Sequence, residues 1–259
     1  MSAFVALMRR YCLDYTNRHD ITQVSGIMEA DYALRMGQHE LAGRDSHYVP
    51  AASAQFKQFP GLGLTVHEIF SNGERLAMRF SEHGQSKKHG GRAAAWSGLG
   101  LYRWNQLKLT DNSVEQDYYS RRLQLDGAEV HSIEPPAVAP WDVTDEPSQP
   151  HAESAVRQLI QSGTLHTHLT VDDAWAQPSM QPEFSDSRYE IDDIFSAGSN
   201  VAFRVILHGI YRGGLPEAAA SVGMQTTHYF VGTARVKNDE VTGGRIISDR
   251  LGLVRRLAG

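Results

Sequence analysis

The sequence predicts an α+β protein built from two related halves. Three observations lead to this fold class. Apolar residues near the N-terminus recur at helical spacing, whereas those after residue 62 recur at the spacing of strands. A segment of the first half recurs in the second half, and a proline-rich stretch lies between them. At about 150 residues per domain, 259 residues allow one large domain or two smaller ones. The repeat favours two.

The first half begins with helices and continues as strands. Pro60 ends the last of these helices, and Asn72-Gly73 is typical of a tight hairpin turn. The predicted helices are 3–17, 20–28 and 51–59. The predicted strands are 62–70, 75–84, 93–104 and 113–123.

The repeat is strongest across the predicted hairpin. Val66–Gly84 aligns with Ile191–Gly209 at a constant offset of 125, and eight of 19 positions are identical. Unrelated segments would share about one. Further on the offset becomes 132, which pairs Asp117 with Asp249.

These offsets divide the chain into residues 1–125, a linker over 126–151, and a shortened copy over 152–259. Five of the ten prolines lie in the linker. In the second copy, helices are predicted over 155–163 and 171–176, and a strand begins at Tyr189. This copy lacks a counterpart of residues 29–59. We therefore expect the active-site cavity in the first copy and a structural role for the second.

Composition excludes several classes of protein. The net charge is −5, which argues against a nucleic-acid partner. A single cysteine excludes a disulfide framework. No apolar run reaches the length of a membrane span, and Arg9 and Arg10 follow the first apolar stretch, unlike a secretion signal. The expected location is cytoplasmic, with no membrane partner.

Sequence motifs for cofactors are absent. There is no glycine-rich dinucleotide or phosphate loop and no metalloprotease or nucleophile-elbow motif. His166-Thr167-His168 is the nearest approach to a metal pair, but it lacks a third ligand. We expect neither a cofactor nor a metal.

Several segments resemble a known family. They are Phe59–Leu62, Asn72–Arg79, and the run from Gly244 through Asp249 to Leu257. The sequence resembles the SnoaL-like polyketide cyclase group of the nuclear-transport-factor-2-like superfamily. This implies two tandem cone-shaped domains, each a curved antiparallel sheet wrapped on N-terminal helices, which pair as an intrachain pseudo-dimer. A higher homo-oligomer stays open. Related folds act by proton transfer without an organic cofactor.

The resemblance places Asp117 at the family's closing-strand aspartate. A carboxylate that faces an apolar cavity has a raised pKa, and it can then act as base or acid near neutrality. The alternative is structural: Asp117 caps an element or pairs with Arg121. The repetition of this residue at Asp249 favours the alternative.

Arg79 and His83 share one face of the predicted strand 75–84. Arg79 could hold a developing oxyanion, and His83 could relay a proton. Both recur in the second copy, as Arg204 and His208, which favours a structural role at the contact between copies.

Further residues are expected to bind the substrate. Residues 35–48, which include Arg35 and His47, are dense in polar side chains and belong to the first copy alone. The remaining expected binding residues are aromatic: Tyr15, Tyr32, Trp96 and Tyr119.

The leading hypothesis is a cofactor-free lyase or isomerase that acts on an aromatic or polycyclic small molecule by general acid–base catalysis. Cyclisation, isomerisation, dehydration and carbon–carbon cleavage all stay open. A non-catalytic module that binds a small molecule or a protein is the alternative. Epoxide hydrolysis is a weaker one, because a second acid is missing.

Overall fold

The structure is a computed structural model that describes residues 2–172 and 180–259. Its first half starts with helix α1, Ala3–Arg10, where the Ser2 hydroxyl accepts from the Val5 amide at 3.3 Å. The helix continues as a wider turn over Tyr11–Thr16. Further helical segments are Ile21–Gln23, α2 at Val24–Ile27, Arg44–Tyr48 and α3 at Val49–Gln58.

The strands of the first half form one curved sheet. They are β1 Met28–Met36, β2 His39–Ala42, β3 Gly63–Ser71, β4 Arg75–Ser86, β5 Arg92–Trp104 and β6 Leu109–Gln116. Their order is β2-β1-β6-β5-β4-β3, with β1 parallel to β6 and all other neighbours antiparallel. Helix α4, Tyr118–Leu125, follows the sheet.

The second half contains helices and a smaller sheet. It contains α5 Pro150–Gln161, α6 Leu165–His168, β7 Thr170–Val171, β8 Glu183–Ala197, β9 Asn200–Gly213, β10 Gln225–Lys237, β11 Glu240–Ser248 and α7 Arg250–Ala258. The described strands form a sheet of order β7-β11-β10-β9-β8. The predicted α+β class with curved sheets is confirmed.

Details of the two sheets favour the interpretation that the halves are related copies. The β3–β4 register shifts between Val66 and Glu68, and the β8–β9 register shifts between Ile191 and Asp193, 125 positions later. Strand β7 is parallel to β11, as β1 is to β6. The repeat nevertheless stays a prediction, as do the domain boundaries.

Two predicted elements differ from the structure. The strand predicted over 113–123 ends at Gln116, because the Asp117 carboxylate accepts from the Ser120 amide at 3.0 Å and begins α4. Residues 35–48, which the sequence singled out for their polar side chains, contain the end of β1, all of β2 and the helical segment Arg44–Tyr48. The helix predicted over 171–176 lies largely outside the described residues, and Val171 belongs to a strand.

The two sheets pack against each other through small and apolar side chains. Ala77, Leu99 and Leu101 of the first sheet meet Ala202 and Val231 of the second in one buried cluster. Consequently, both faces of the first sheet are covered: one by α1 and α3, the other by the second sheet.

A segment without helix or strand, 129–137, also joins the sheets. Glu134 forms ion pairs with Arg79 of β4 and with Arg245 of β11. None of the helices in the described ranges is long and apolar enough to cross a membrane.

Candidate active site

A cavity of about 300 Å³ lies between the helices and the sheet of the first half. The turn after α1 forms one wall, β1 and β2 a second, and α3 a third. The lining includes Tyr11, Tyr15, Leu34, Met36, His39, Tyr48, Ala52, Gln55, Phe56, Glu82, Gln116 and Tyr118. The volume and the apolar lining suit a small organic molecule.

Glu82 of β4 is the buried carboxyl group in this cavity. Its side chain points to the helix-covered face of the sheet, and the residue is 6% exposed. The Gln55 amide donates to its Oε2 at 2.8 Å. Burial raises the pKa of Glu82 to about 7, although the Arg121 guanidinium and hydrogen bonds from Gln55 and Trp96 oppose this. A carboxyl with this pKa can both accept and return a proton at neutral pH.

Four tyrosines line the same cavity, and three of them, Tyr11, Tyr15 and Tyr48, lie close together. Tyr15 donates to the Tyr48 hydroxyl at 3.0 Å, and Tyr11 lies edge-on to Tyr15, with ring centroids 5.5 Å apart. Burial raises the pKa of each of the three well above its usual value. All three therefore stay protonated at neutral pH, and Tyr11 or Tyr48 can donate a hydrogen bond to a developing oxyanion while Tyr15 donates to Tyr48.

A second layer of side chains behind Glu82 holds this wall of the cavity in place. The Trp96 indole donates to Gln116 Oε1 at 2.7 Å. The Arg121 guanidinium lies over the Tyr118 ring, 3.8 Å from its centroid, and 5.0 Å from that of Trp96. These contacts hold the positive charge of Arg121 near the cavity, although Arg121 is not one of the lining residues.

The second half completes the cavity, contrary to the expectation that the site lies within residues 1–125 alone. The beginning of α7 contributes Asp249, Leu251, Gly252 and Arg255 to the lining. Asp249 caps α7 by accepting from the Gly252 amide at 2.8 Å, and it pairs with Arg256 at 2.9 Å. Its carboxylate is thus fixed in place by its own helix.

Asp117, the residue expected to act as the base, does not line the cavity. It is fully buried between the halves, where Arg250 donates to both of its oxygens at 2.6 and 2.7 Å. Burial disfavours its charge, but Arg250 and the Ser120 hydrogen bonds outweigh this and lower the pKa of Asp117. These contacts correspond to the alternative stated from the sequence, in which Asp117 caps an element or forms an ion pair. Its partner is Arg250 instead of Arg121.

Arg250 also contacts a second acid. Its Nε lies 3.2 Å from Asp172, whose pKa burial raises to about 7 although Arg250 opposes the rise. An Asp–Arg–Asp set, which the sequence did not reveal, therefore exists. Its side chains are wholly buried and none of them lines the first cavity, so this set is not part of that site.

Arg79 and His83 lie on the opposite face of β4 from Glu82. Arg79 pairs with Glu134 and lies near Glu68, with the closest atoms 3.8 Å apart. The half-buried His83 ring lies against its cross-strand partner Gly63. The predicted catalytic residues are thus not brought together in the cavity: Arg79 pairs with Glu134 of the linker, and His83 lies against Gly63 of its own sheet.

The expected binding residues are divided between the cavity and other places. Tyr15 lines it, and Tyr32 and Trp96 lie one layer behind, Tyr32 with its ring centroid 5.2 Å from that of Tyr48. The other three lie elsewhere: Arg35 pairs with Glu40 and Asp111, His47 contacts the Ala42 carbonyl, and Tyr119 donates to Glu217.

The sequence reasoning missed Glu82 and Gln55, whereas Tyr48 is the last residue of the polar segment 35–48 that it singled out. Glu82 had one sequence signal: it is a lone carboxylate among the apolar positions Leu76, Met78 and Phe80 of the same strand face. His166 and His168 line a separate cavity in the second half. Across the described ranges no three His, Cys, Asp or Glu side chains are grouped so as to hold a metal.

Comparison with protein families identifies one match. Residues 8–112 match the model of the SnoaL-like domain, which includes β4 and most of the cavity lining. The resemblance predicted from the sequence is therefore confirmed for this stretch. None of the curated proteins matches the chain.

Solved structures resemble about half of the chain. A proposed SnoaL-like polyketide cyclase from Jannaschia is 11% identical, covers 49% of this chain and 94% of its own, and has a TM-score of 0.45. A proposed hydroxylase from Streptomyces galilaeus has 18% identity, coverages of 48% and 96%, and a TM-score of 0.42. An epoxide hydrolase from M. tuberculosis has 12% identity, coverages of 48% and 84%, and a TM-score of 0.41.

Proposed function

We propose, from the premise that residues 8–112 form a SnoaL-like domain, that the first cavity is a general acid–base site for an enolisable, largely apolar small molecule. One observation carries the proposal: Glu82 is a buried carboxyl with a pKa of about 7 in a cavity lined by protonated tyrosines. It supports Glu82, instead of Asp117, as the group that transfers the proton. The reaction class is lyase or isomerase, without an organic cofactor.

The chemistry follows from the two kinds of group in the cavity. The Glu82 carboxylate takes a proton from a carbon next to a carbonyl, and the electron pair of that C–H bond moves toward the carbonyl oxygen. A tyrosine hydroxyl donates to this oxygen as its negative charge grows. Glu82 then returns the proton to another atom of the same molecule or to water. Isomerisation, cyclisation and elimination share this first step.

An exchange experiment tests the proposal without knowledge of the natural substrate. The bicyclic ketone α-tetralone is incubated with the protein in deuterated water, and loss of the C–H signal next to its carbonyl is followed by NMR. We expect exchange by the wild type and a loss of about 100-fold or more in Glu82→Gln, the range in which general bases contribute.

A matched control is Glu115→Gln. Glu115 of β6 is also buried, and burial together with the nearby Asp249 raises its pKa well above the usual value. Its Oε1 accepts from the Gly37 amide at 2.7 Å, behind the cavity wall. Glu115→Gln should leave the exchange rate unchanged. Equal exchange in Glu82→Gln and wild type contradicts the assignment of the base.

The alternative is a non-catalytic binding site. The Gln55 hydrogen bond supports it, because Glu82 then serves as a fixed acceptor for a ligand hydroxyl. Binding of α-tetralone to the wild type without any Glu82-dependent exchange would favour this alternative.

A further inference from the structure

The second half contains a larger and more open cavity of about 1190 Å³. It is bordered by α6, β7, the beginning of β8, and the middle of β9 and β10. Apolar side chains such as Leu207, Phe184 and Phe230 form part of its wall. The expectation that the second half is only structural does not account for this space.

One of the residues that line this cavity occupies the position in its sheet that Glu82 occupies in the first sheet. In the first sheet Glu82 is the cross-strand partner of Trp96. At the offsets of 125 and 132, the corresponding residues are Leu207 and His228, and these two are also cross-strand partners. The apolar Leu207 therefore replaces the carboxyl, and an imidazole replaces the indole.

His228 is an unusual residue at such a position, because it is 1% exposed. Its ring stacks on Phe184 at a centroid distance of 5.8 Å, and it meets Phe230 edge-on at 4.4 Å. Within residues 2–172 and 180–259, neither ring nitrogen has a hydrogen-bond partner. Buried polar side chains without a partner are rare, so this one is a candidate ligand contact.

The ring is neutral in this environment. Burial lowers the pKa of His228 well below its usual value, and the guanidinium groups of Arg256 and Arg250 act in the same direction. A neutral imidazole offers one N–H donor and one lone pair. A hydroxyl group, which both donates and accepts, complements either nitrogen.

We propose that the second cavity is a separate binding site for an uncharged aromatic or alicyclic molecule with one hydroxyl group, which hydrogen-bonds to the imidazole of His228. The rings of the ligand lie against Phe184, Phe230 and Leu207. This site has no carboxyl at the position of Glu82, so it binds a molecule without sharing the proton-transfer role proposed for the first cavity.

The probe for the test is β-naphthol, and binding to the full chain is measured by calorimetry and by naphthol fluorescence. Leu207→Trp places an indole beside His228, its cross-strand partner in the second cavity, and Ala52→Trp places one among the residues that line the first. We expect Leu207→Trp to have one β-naphthol binding site fewer than the wild type. The site that it loses should persist in Ala52→Trp. Unchanged stoichiometry in Leu207→Trp overturns the proposal.

His228→Phe tests the contact itself, because phenylalanine keeps an aromatic ring between Phe184 and Phe230. In the Ala52→Trp background it should weaken β-naphthol binding by about tenfold, the contribution of one net hydrogen bond. Binding of naphthalene, which lacks the hydroxyl, should not change. An equal loss for both probes overturns the role of His228.

A measurement on the unsubstituted histidine covers the case in which these variants do not fold. In protein with ¹⁵N-labelled histidine, β-naphthol should shift the ring-nitrogen resonances of His228. Naphthalene should shift them less. Resonances of His228 that do not respond to saturating β-naphthol contradict the proposal.

Discussion

The substitution Glu82→Gln should make the stability of the protein less dependent on pH. The pKa of Glu82 is about 7 in the folded protein, against 4.5 for an unperturbed glutamate. This difference corresponds to about 3 kcal/mol in the free energy of unfolding. The folded state holds the proton of Glu82 more tightly than the unfolded state does. The protein therefore loses this contribution to its stability as the pH rises from about 4.5 to about 7.

Glutamine cannot ionise, and its side-chain oxygen can still accept from Gln55. We therefore expect Glu82→Gln and wild type to differ little at pH 4.5, whereas at pH 8 the variant is more stable by about 3 kcal/mol. Urea unfolding at both pH values measures this, with Glu74→Gln in the exposed β3–β4 turn as a control for the loss of one carboxyl. A stability difference that does not grow with pH would refute the reasoning.

Other parts of the structure lead to three further predictions. Asp117→Asn should lower the free energy of unfolding by about 1.5–3 kcal/mol, because it removes the charge-assisted hydrogen bonds from the buried Arg250 and leaves Asp172 to balance its charge; a loss below about 1 kcal/mol in urea unfolding would contradict this. Leu251→Trp should weaken α-tetralone binding in calorimetry, because the larger side chain narrows the first cavity from the second half, and unchanged affinity would show that α7 does not complete the site. Glu134→Gln should destabilise the protein by about 1 kcal/mol or less at neutral pH. Burial opposes the ionised form of Glu134, but its arginine partners outweigh this and lower its pKa, so urea unfolding should show the difference vanish below pH 4.5 and shrink in salt.

The hairpin and the long strands were predictable, but the functional face of β4 was not. Period-two spacing identifies β4 and places Glu82 opposite Arg79 and His83. This spacing identifies the buried face of a strand only where the opposite face is exposed to water. Here the helices cover one face of the sheet and the second sheet covers the other, so alternation alone could not indicate which polar residues enter the cavity.

The other differences also depend on contacts between distant residues. The role of Asp117 as a helix cap paired with Arg250 requires two residues 133 positions apart to meet. The contribution of α7 to the first cavity is likewise a property of how the halves pack. The resemblance, in contrast, correctly indicated the SnoaL-like domain and the α+β fold, because these follow from the order and length of local elements.

The pH dependence of the α-tetralone exchange that requires Glu82 tests the central claim most directly. The rate difference between wild type and Glu82→Gln should rise with pH and level off above about pH 7, as the Glu82 carboxyl loses its proton. Equal rates at every pH, or a midpoint near 4.5, would contradict a base held near neutrality by its burial in this cavity.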